Sequence, residues 1–135
     1  MSEVKKTEAT NVDRVLKATH WFATAGSFTE QGGRVTAASS GLKIDGLTVA
    51  LVGDEVIYED GRQAVIIDGS GSGAAYGDKP IALVGSRLSN GDRIIASLQN
   101  NLGVDEYHDR PIPGLFDSAY TLSTTATTDG ASIDA

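Results

Sequence analysis

The chain has no cysteine, which removes disulfide bridges and thiolate-bound metals from its possible chemistry. Histidine is nearly missing as well. His20 and His108 are the only imidazoles, whereas a closed structural zinc site takes about four nitrogen or sulfur ligands. Bulky aromatics are few, with four tyrosines, three phenylalanines and one tryptophan against sixteen glycines. Many turns must therefore be made around a lightly built core, which favours short strands over long helices. Long apolar runs are lacking too: nothing approaches the roughly 20 residues of a membrane span, and residues 1–17 have no apolar centre of the signal-peptide kind. Positive charge is also scarce, the formal net charge being −7. From Asp105 onward Asp105, Glu106, Asp109, Asp117, Asp129 and Asp134 are opposed only by Arg110. Such a surface repels phosphate backbones and anionic headgroups, so neither nucleic-acid binding nor stable membrane association is expected.

What the chain does contain is a repeat. Val49-Ala50-Leu51-Val52-Gly53-Asp54 is echoed thirty-two residues later by Ile81-Ala82-Leu83-Val84-Gly85, and at the same offset Val35 falls on Ile67, Ser40 on Ser72 and Gly41 on Gly73. A period of this size signals a supersecondary unit that buries its apolar face only against its copies. In the first unit Gly32-Gly33 opens a strand through Val35. Asp45-Gly46 is a hairpin turn and residues 48–52 form the return strand. The second unit repeats this with a strand over 64–67, a Gly-rich loop over 69–73, a Gly77-Asp78 turn and a strand opened by Pro80. A third unit starts at Asn90-Gly91, where Arg93-Ile94-Ile95-Ala96-Ser97 matches the second unit's opening strand. No Ala-Leu-Val-Gly segment follows it, so the third unit is expected to be cut short.

The expected organisation is an N-terminal extension over 1–25, a β-repeat domain over 26–105 and a partly flexible C-terminal extension over 106–135. In the first, Thr10 and Asp13 form a weak capping pair, and Val12, Val15, Leu16 and Thr19 line one face of a short helix. The other reading of that stretch is an arm whose Trp21 and Phe22 pack on the main body. Tyr107, Pro111, Ile112, Pro113, Leu115 and Phe116 suit a short irregular segment packed on the core.

Enzymatic signatures are weak. Gly69-Ser70-Gly71-Ser72-Gly73-Ala74 has the Gly-x-Gly-x-x-Ala form of a dinucleotide fingerprint, but the turn at Gly77-Asp78 leaves no room for the helix that motif requires. No Gly-x-Ser-x-Gly elbow marks an activated serine. The acidic pairs Asp54-Glu55 and Glu59-Asp60 read as solvated turns rather than acid–base or calcium sites.

The stretch from Gly26-Ser27-Phe28-Thr29-Glu30-Gln31-Gly32-Gly33-Arg34-Val35, with Asp45-Gly46 and Val49-Ala50-Leu51-Val52-Gly53-Asp54, resembles the PAAR-repeat proteins. Pro80-Ile81-Ala82-Leu83-Val84 stands where that family has its second Pro-Ala-Ala-Arg-like strand, and Val84-Gly85 through Gly91-Asp92 to Ile95 is similar to the link into its last unit. The resemblance implies an all-β, compact pseudo-three-fold cone of short β-hairpin repeats. It also implies a role: a non-catalytic tip, one copy seated on the trimeric valine-glycine-repeat (VgrG) spike of a type VI secretion system or a contractile phage-like machine. The expected seating and repeat-defining residues are Gly32, Gly33, Asp45, Gly46, Val49, Ala50, Leu51, Val52, Gly53, Asp54, Ile81, Ala82, Leu83, Val84, Gly85 and Gly91. An effector or adaptor would join through the extensions. Such a protein is made in the bacterial cytoplasm without a signal peptide and exported on the spike. The alternative is a small secreted β-domain with ligand-binding or hydrolytic activity.

Family members commonly hold zinc near the apex through histidines and a cysteine ahead of the strand units. Here Gln31, Glu59-Asp60 and Asn90 occupy those places. The expectation is therefore a chain without cofactor or metal. Zinc would enter only if the extensions rebuilt a site from His20 and His108 with a carboxylate such as Asp109.

Overall fold

Every strand is short because a turn soon interrupts it. The computed structural model describes residues 15–121. Its strands, in chain order, are β1 (Leu16–Trp21), β2 (Phe28–Thr29), β3 (Arg34–Ala37), β4 (Lys43–Ile44), β5 (Leu47–Thr48), β6 (Glu55–Ile57), β7 (Gln63–Val65), β8 (Ala75–Tyr76), β9 (Lys79–Pro80), β10 (Ile94–Ala96) and β11 (Gly103–Tyr107). The expected all-β class is what is found, and among the described residues no helix is long and apolar enough to cross a membrane.

At the centre three alanines close a ring of backbone hydrogen bonds. Ala23 N–H donates to Ala82 O, Ala82 N–H to Ala50 O and Ala50 N–H to Ala23 O, each at 2.9 Å. The neighbouring bonds follow the same cycle: Ala25 N–H to Thr48 O, Val52 N–H to Pro80 O and Val84 N–H to Trp21 O. Bridges Thr24–Val49, Leu51–Ile81 and Leu83–Phe22 complete it. No segment of this ring has an unpaired inner edge, which satisfies backbone groups that would be costly to bury unbonded.

Past each alanine the chain reverses in the same way. Gly26, Gly53 and Gly85 sit at φ 90°, 98° and 104°, in backbone conformations that favour glycine. Their amides donate to Val35, Ile66 and Ile94 respectively, each at 2.8 Å. The next residue turns its side chain back: Ser27 Oγ, Asp54 Oδ2 and Ser86 Oγ accept the amides of Thr24, Leu51 and Leu83 at 2.9, 2.8 and 2.9 Å. Leaving the ring, the chain enters a five-stranded antiparallel sheet ordered β10-β2-β3-β6-β7. That sheet rolls round until β7 meets the segment at Arg87–Leu88, which bridges to Arg93 beside β10 through Ile66–Leu88 and Arg87–Arg93. Closure leaves no open sheet edge on this side.

Alternation along the ring strands divides the interior in two. Ala23, Ala50 and Ala82 share a cluster with Val35, Val56, Tyr58, Ala64, Ile66, Leu88 and Ile94 inside the rolled sheet. Phe22, Val49, Leu51, Ile81 and Leu83 point the other way, into a second cluster with Ile44 that is covered in part by Val104, Leu115 and Phe116. Around this second cluster stand three two-stranded ribbons, β4–β5, β8–β9 and β1–β11. The first two are local hairpins, one turned at Asp45-Gly46 (φ 56° and 79°) as expected for Asp-Gly. The third pairs the start of the described chain with Gly103–Tyr107, and His108 N–H donates to Val15 O beside it.

Two expectations are corrected here. In place of the helix proposed across Val12, Val15, Leu16 and Thr19, Leu16 and Thr19 lie in strand β1, because its partner β11 supplies a hydrogen-bond ladder that outweighs the weak 3.6-residue pattern; Val12 and the Thr10–Asp13 cap lie outside the described residues. The third Ala-Leu-Val-Gly copy is not lost. It precedes the other two as Phe22-Ala23-Thr24-Ala25-Gly26-Ser27, straddling the boundary between the expected extension (1–25) and repeat domain. Phe22 does pack on the body, as the alternative reading expected.

All three ring alanines are fully buried in one cluster, so a larger side chain at any of them meets the other two. Ala50→Leu is expected to destabilise by about 1–3 kcal/mol in urea unfolding. The exposed Leu42→Ala should stay within about 0.5 kcal/mol of the parent protein.

Candidate functional site at the apex turns

Three turns close the end of the rolled sheet opposite the ribbons, each by the same bond. Thr29 N–H donates to Gly33 O, Tyr58 N–H to Arg62 O and Leu88 N–H to Asp92 O, at 2.9, 2.9 and 2.8 Å. Gly32, Gly61 and Gly91 hold corresponding places in them, each with φ near 90°. Equivalent backbones thus bring three different side-chain sets together.

Asp92 is 1% exposed, and its carboxylate gathers donors from all three turns. Oδ1 accepts Gln31 N–H at 3.1 Å and Arg93 N–H at 2.8 Å; Oδ2 accepts the Tyr58 hydroxyl at 2.5 Å. The Thr29 hydroxyl accepts Gly33 N–H at 2.7 Å and lies beside the same carboxylate, where it favours the ionised form. Asn90 bonds the Tyr58 oxygen through Nδ2 at 3.1 Å and accepts Asp92 N–H through Oδ1 at 3.0 Å. Space for the tyrosine comes from Gly33, where a Cβ would lie 2.6 Å from Val56 Cγ1 and 2.9 Å from the Tyr58 ring. On the outer side Arg62 covers that ring at 5.2 Å, and Arg34 covers Phe28 at 4.5 Å. A shallow groove of about 460 Å³ runs between Phe28, Arg34, Ile57 and Glu59.

Burial pushes the Asp92 carboxyl up, but the hydrogen bonds from Thr29, Tyr58, Arg93 N–H and Gln31 N–H outweigh it and hold it below the usual carboxylate range. For Tyr58, burial and the bond to Asp92 raise the phenol, against smaller opposing effects of Asn90 and Thr29. Both groups are thereby held in the protonation states their mutual bond requires.

The expected site residues divide between this apex and the ring. Gly32, Gly33 and Gly91 belong to the turns. Val49, Ala50, Leu51, Ile81, Ala82 and Leu83 are buried in the ring, Val52, Val84, Gly53 and Gly85 lie in its reversals, and Asp45 and Gly46 form a ribbon turn. Asp54 is buried, holding Ser39 N–H and Oγ at 3.0 and 2.7 Å as well as Leu51 N–H. Thr29, Tyr58 and Asp92 were missed because they recur at no common offset. Ala23 was missed although Ala-x-x-Gly-Ser/Asp is readable in all three copies.

Metal ligation fits this donor set poorly. A carboxylate offers about four lone-pair sites, and three protein donors already engage Asp92, while the described residues around it supply no imidazole or thiolate ligand. His20 and His108 are not brought together. His20 pairs across from Val104, four residues from His108 along the ribbon, a separation of about 13 Å at strand rise. His20 Nε2 instead lies 3.1 Å from Glu106 Oε1, and its ring meets Phe116 edge-on at 5.3 Å. That His20 bond, aided by Lys17 against the effect of burial, holds the Glu106 carboxyl low. Among the described residues no three His, Cys, Asp or Glu side chains group closely enough to hold a metal ion.

The Gly69–Gly73 loop is taken up by the chain itself. Ser72 N–H donates to Pro113 O and Phe116 N–H to Gly69 O, at 2.9 and 2.8 Å, while Arg87 bonds both the buried Asp68 and Phe116 O. The segment around Ile112, Leu115 and Phe116 therefore packs on the core as expected, and residues 122–135 lie outside the described chain.

A depressed carboxyl contributes stability above its unfolded value, about 3.9 for Asp and 4.3 for Glu, and that stability is lost as pH falls through the folded value. A raised phenol contributes below about 10, and its share is lost as pH rises through the folded value. Urea midpoints should thus fall on acidification below about pH 4. Asp92→Asn should remove one part of that acid limb and Glu106→Gln another, each read as a flatter midpoint-against-pH curve.

No curated protein and no solved structure matches the chain. A family model described as PAAR motif matches residues 25–96, more than half of the sequence and the whole of the rolled sheet. The turn-bearing units, the ring strands and this match agree, and the chain belongs to the PAAR-motif family.

Proposed function

We propose that this protein is the structural, non-catalytic tip of a trimeric VgrG-type spike, one copy seated on each trimer. The PAAR motif is known from spike-tip proteins, which supports a structural tip role. The observation that carries the finer reading is the cyclic ring: one chain offers nearly the same backbone surface three times around an axis, which is what a single subunit needs to meet a three-fold partner. On this reading the molecule is a pseudo-three-fold cone whose rolled sheet is the point and whose ribbon side is the seat.

Leu42 and Leu102 support that orientation. Their carbonyls accept the amides of Val49 and Phe22 at corresponding places beside the ring, with Ala74 in the third place toward Ile81. Their side chains are 40% and 50% exposed on the ribbon side, apolar surface that a seated partner would cover. Ribbon strands offer backbone edges for continuing a partner's β-structure. An effector or adaptor would attach near the β1–β11 ribbon, where Val15 and His108 meet. Export would then occur on the spike.

Co-expression with the trimeric spike protein of the same machine, followed by native mass spectrometry, is expected to give one chain per trimer. Leu42→Asp with Leu102→Asp should weaken capture at least about tenfold, equivalent to 1.4 kcal/mol, with an unchanged melting temperature. Absence of any complex, or three chains per trimer, refutes this reading.

A further inference from the structure

We propose that Thr29, Tyr58, Asn90 and Asp92 form a metal-independent pin that cross-links the three apex turns, taking over the mechanical role that an apical metal ion has in PAAR proteins. This inference rests on the apex geometry and stands whether or not the spike reading does. A metal ion would tie three turns by drawing a ligand from each to one centre. Here the centre is the Asp92 carboxylate, supplied by the third turn. The first turn reaches it through Gln31 N–H, with the Thr29 hydroxyl beside it, and the second through the Tyr58 hydroxyl.

Three further features mark the cluster as a built site. Asp92, Thr29 and Tyr58 are 1%, 3% and 5% exposed, so the bonds work in a medium where solvent competes little. Every bond to the carboxylate is charge-assisted, the class of hydrogen bond that is shorter and stronger than its neutral counterpart. Gly33 clears the space the tyrosine ring occupies, so a residue of the first turn is cut back to admit a long side chain from the second. The corresponding inward position in the third turn is Leu88, which reaches the apolar cluster instead. Tyr58 is thus the one residue among the three equivalents long enough to span the apex with a polar end.

Charged neighbours leave the pin intact. Arg93, next to Asp92, turns its guanidinium outward to Glu30 at 3.5 Å, and Arg62 pairs with Asp60 at 2.7 Å while lying over the Tyr58 ring. The carboxylate is held by hydroxyl and amide donors alone, with both lone pairs of Oδ1 taken by Gln31 and Arg93 N–H and Oδ2 taken up by the Tyr58 hydroxyl.

The test uses the full chain, purified without chelator and then divided. Elemental analysis should find no stoichiometric metal, and melting temperatures with EDTA, with added zinc and with neither should agree within error. Tyr58→Phe, which deletes only the hydroxyl, should lower the melting temperature by roughly 4–8 °C. It should also speed hydrogen exchange at the Gln31 and Arg93 amides that donate to Asp92, without changing exchange at the ring alanines. Asn90→Ala, on an exposed side chain, should do the same more weakly, which keeps the test open if Asp92→Asn fails to fold. A bound metal, a chelator-induced drop in melting temperature, or unchanged exchange at Gln31 and Arg93 in Tyr58→Phe overturns the proposal.

Discussion

The structure depends on one constraint, that three alanine amides hydrogen-bond in a closed ring. Because Ala23, Ala50 and Ala82 each give and receive one bond, no strand of the centre can be removed without stranding buried backbone groups on the other two. The methyl side chains follow from this. Segments that approach closely enough to bond leave no room at the centre for more than a methyl group on each. Glycine at the reversal and serine or aspartate after it then turn each segment away from the ring, so three distant parts of the chain leave it by the same path.

That ring separates two environments with different tasks. On one side the sheet closes on itself and its turns meet at a charged, hydrogen-bonded apex. On the other, two local hairpins and the β1–β11 ribbon surround an apolar cluster and leave Leu42 and Leu102 exposed. The two ends therefore differ in character, one closed by polar side chains and the other partly apolar at its surface. The difference also places one source of acid sensitivity at the apex: burial pushes the Asp92 carboxyl up, and the hydrogen bonds it accepts outweigh that and hold it low.

The C-terminal segment breaks the approximate repetition. Phe116 sits at φ 54°, unusual for a bulky residue, and is held by Arg87 and Gly69 while its ring fills the space over Gly85 and against His20. The corresponding glycine of the first copy, Gly26, is met by Leu98. Three equivalent backbones are therefore finished with different side chains, which is how one chain can present similar surfaces and still distinguish its faces.

Much of this was legible beforehand. The lack of cysteine, the excess of glycine, the Asp45-Gly46 turn and the paired Ala-Leu-Val-Gly segments determined an all-β repeat protein, because turn chemistry and strand periodicity are local properties. What the sequence could not decide were relations between segments far apart in the chain. Leu16–Trp21 is a strand only because β11 lies beside it, and Phe22-Ala23-Thr24 is a ring member only because Leu83 and Val49 bracket it. The apex followed the same rule. Thr29, Tyr58 and Asp92 share no spacing and no motif, and what unites them is that equivalent turns converge. Local pattern wrote the repeat; tertiary closure chose which copy came first and turned an isolated aspartate into the centre of the tip, since a buried carboxylate is stable only where folding delivers its donors.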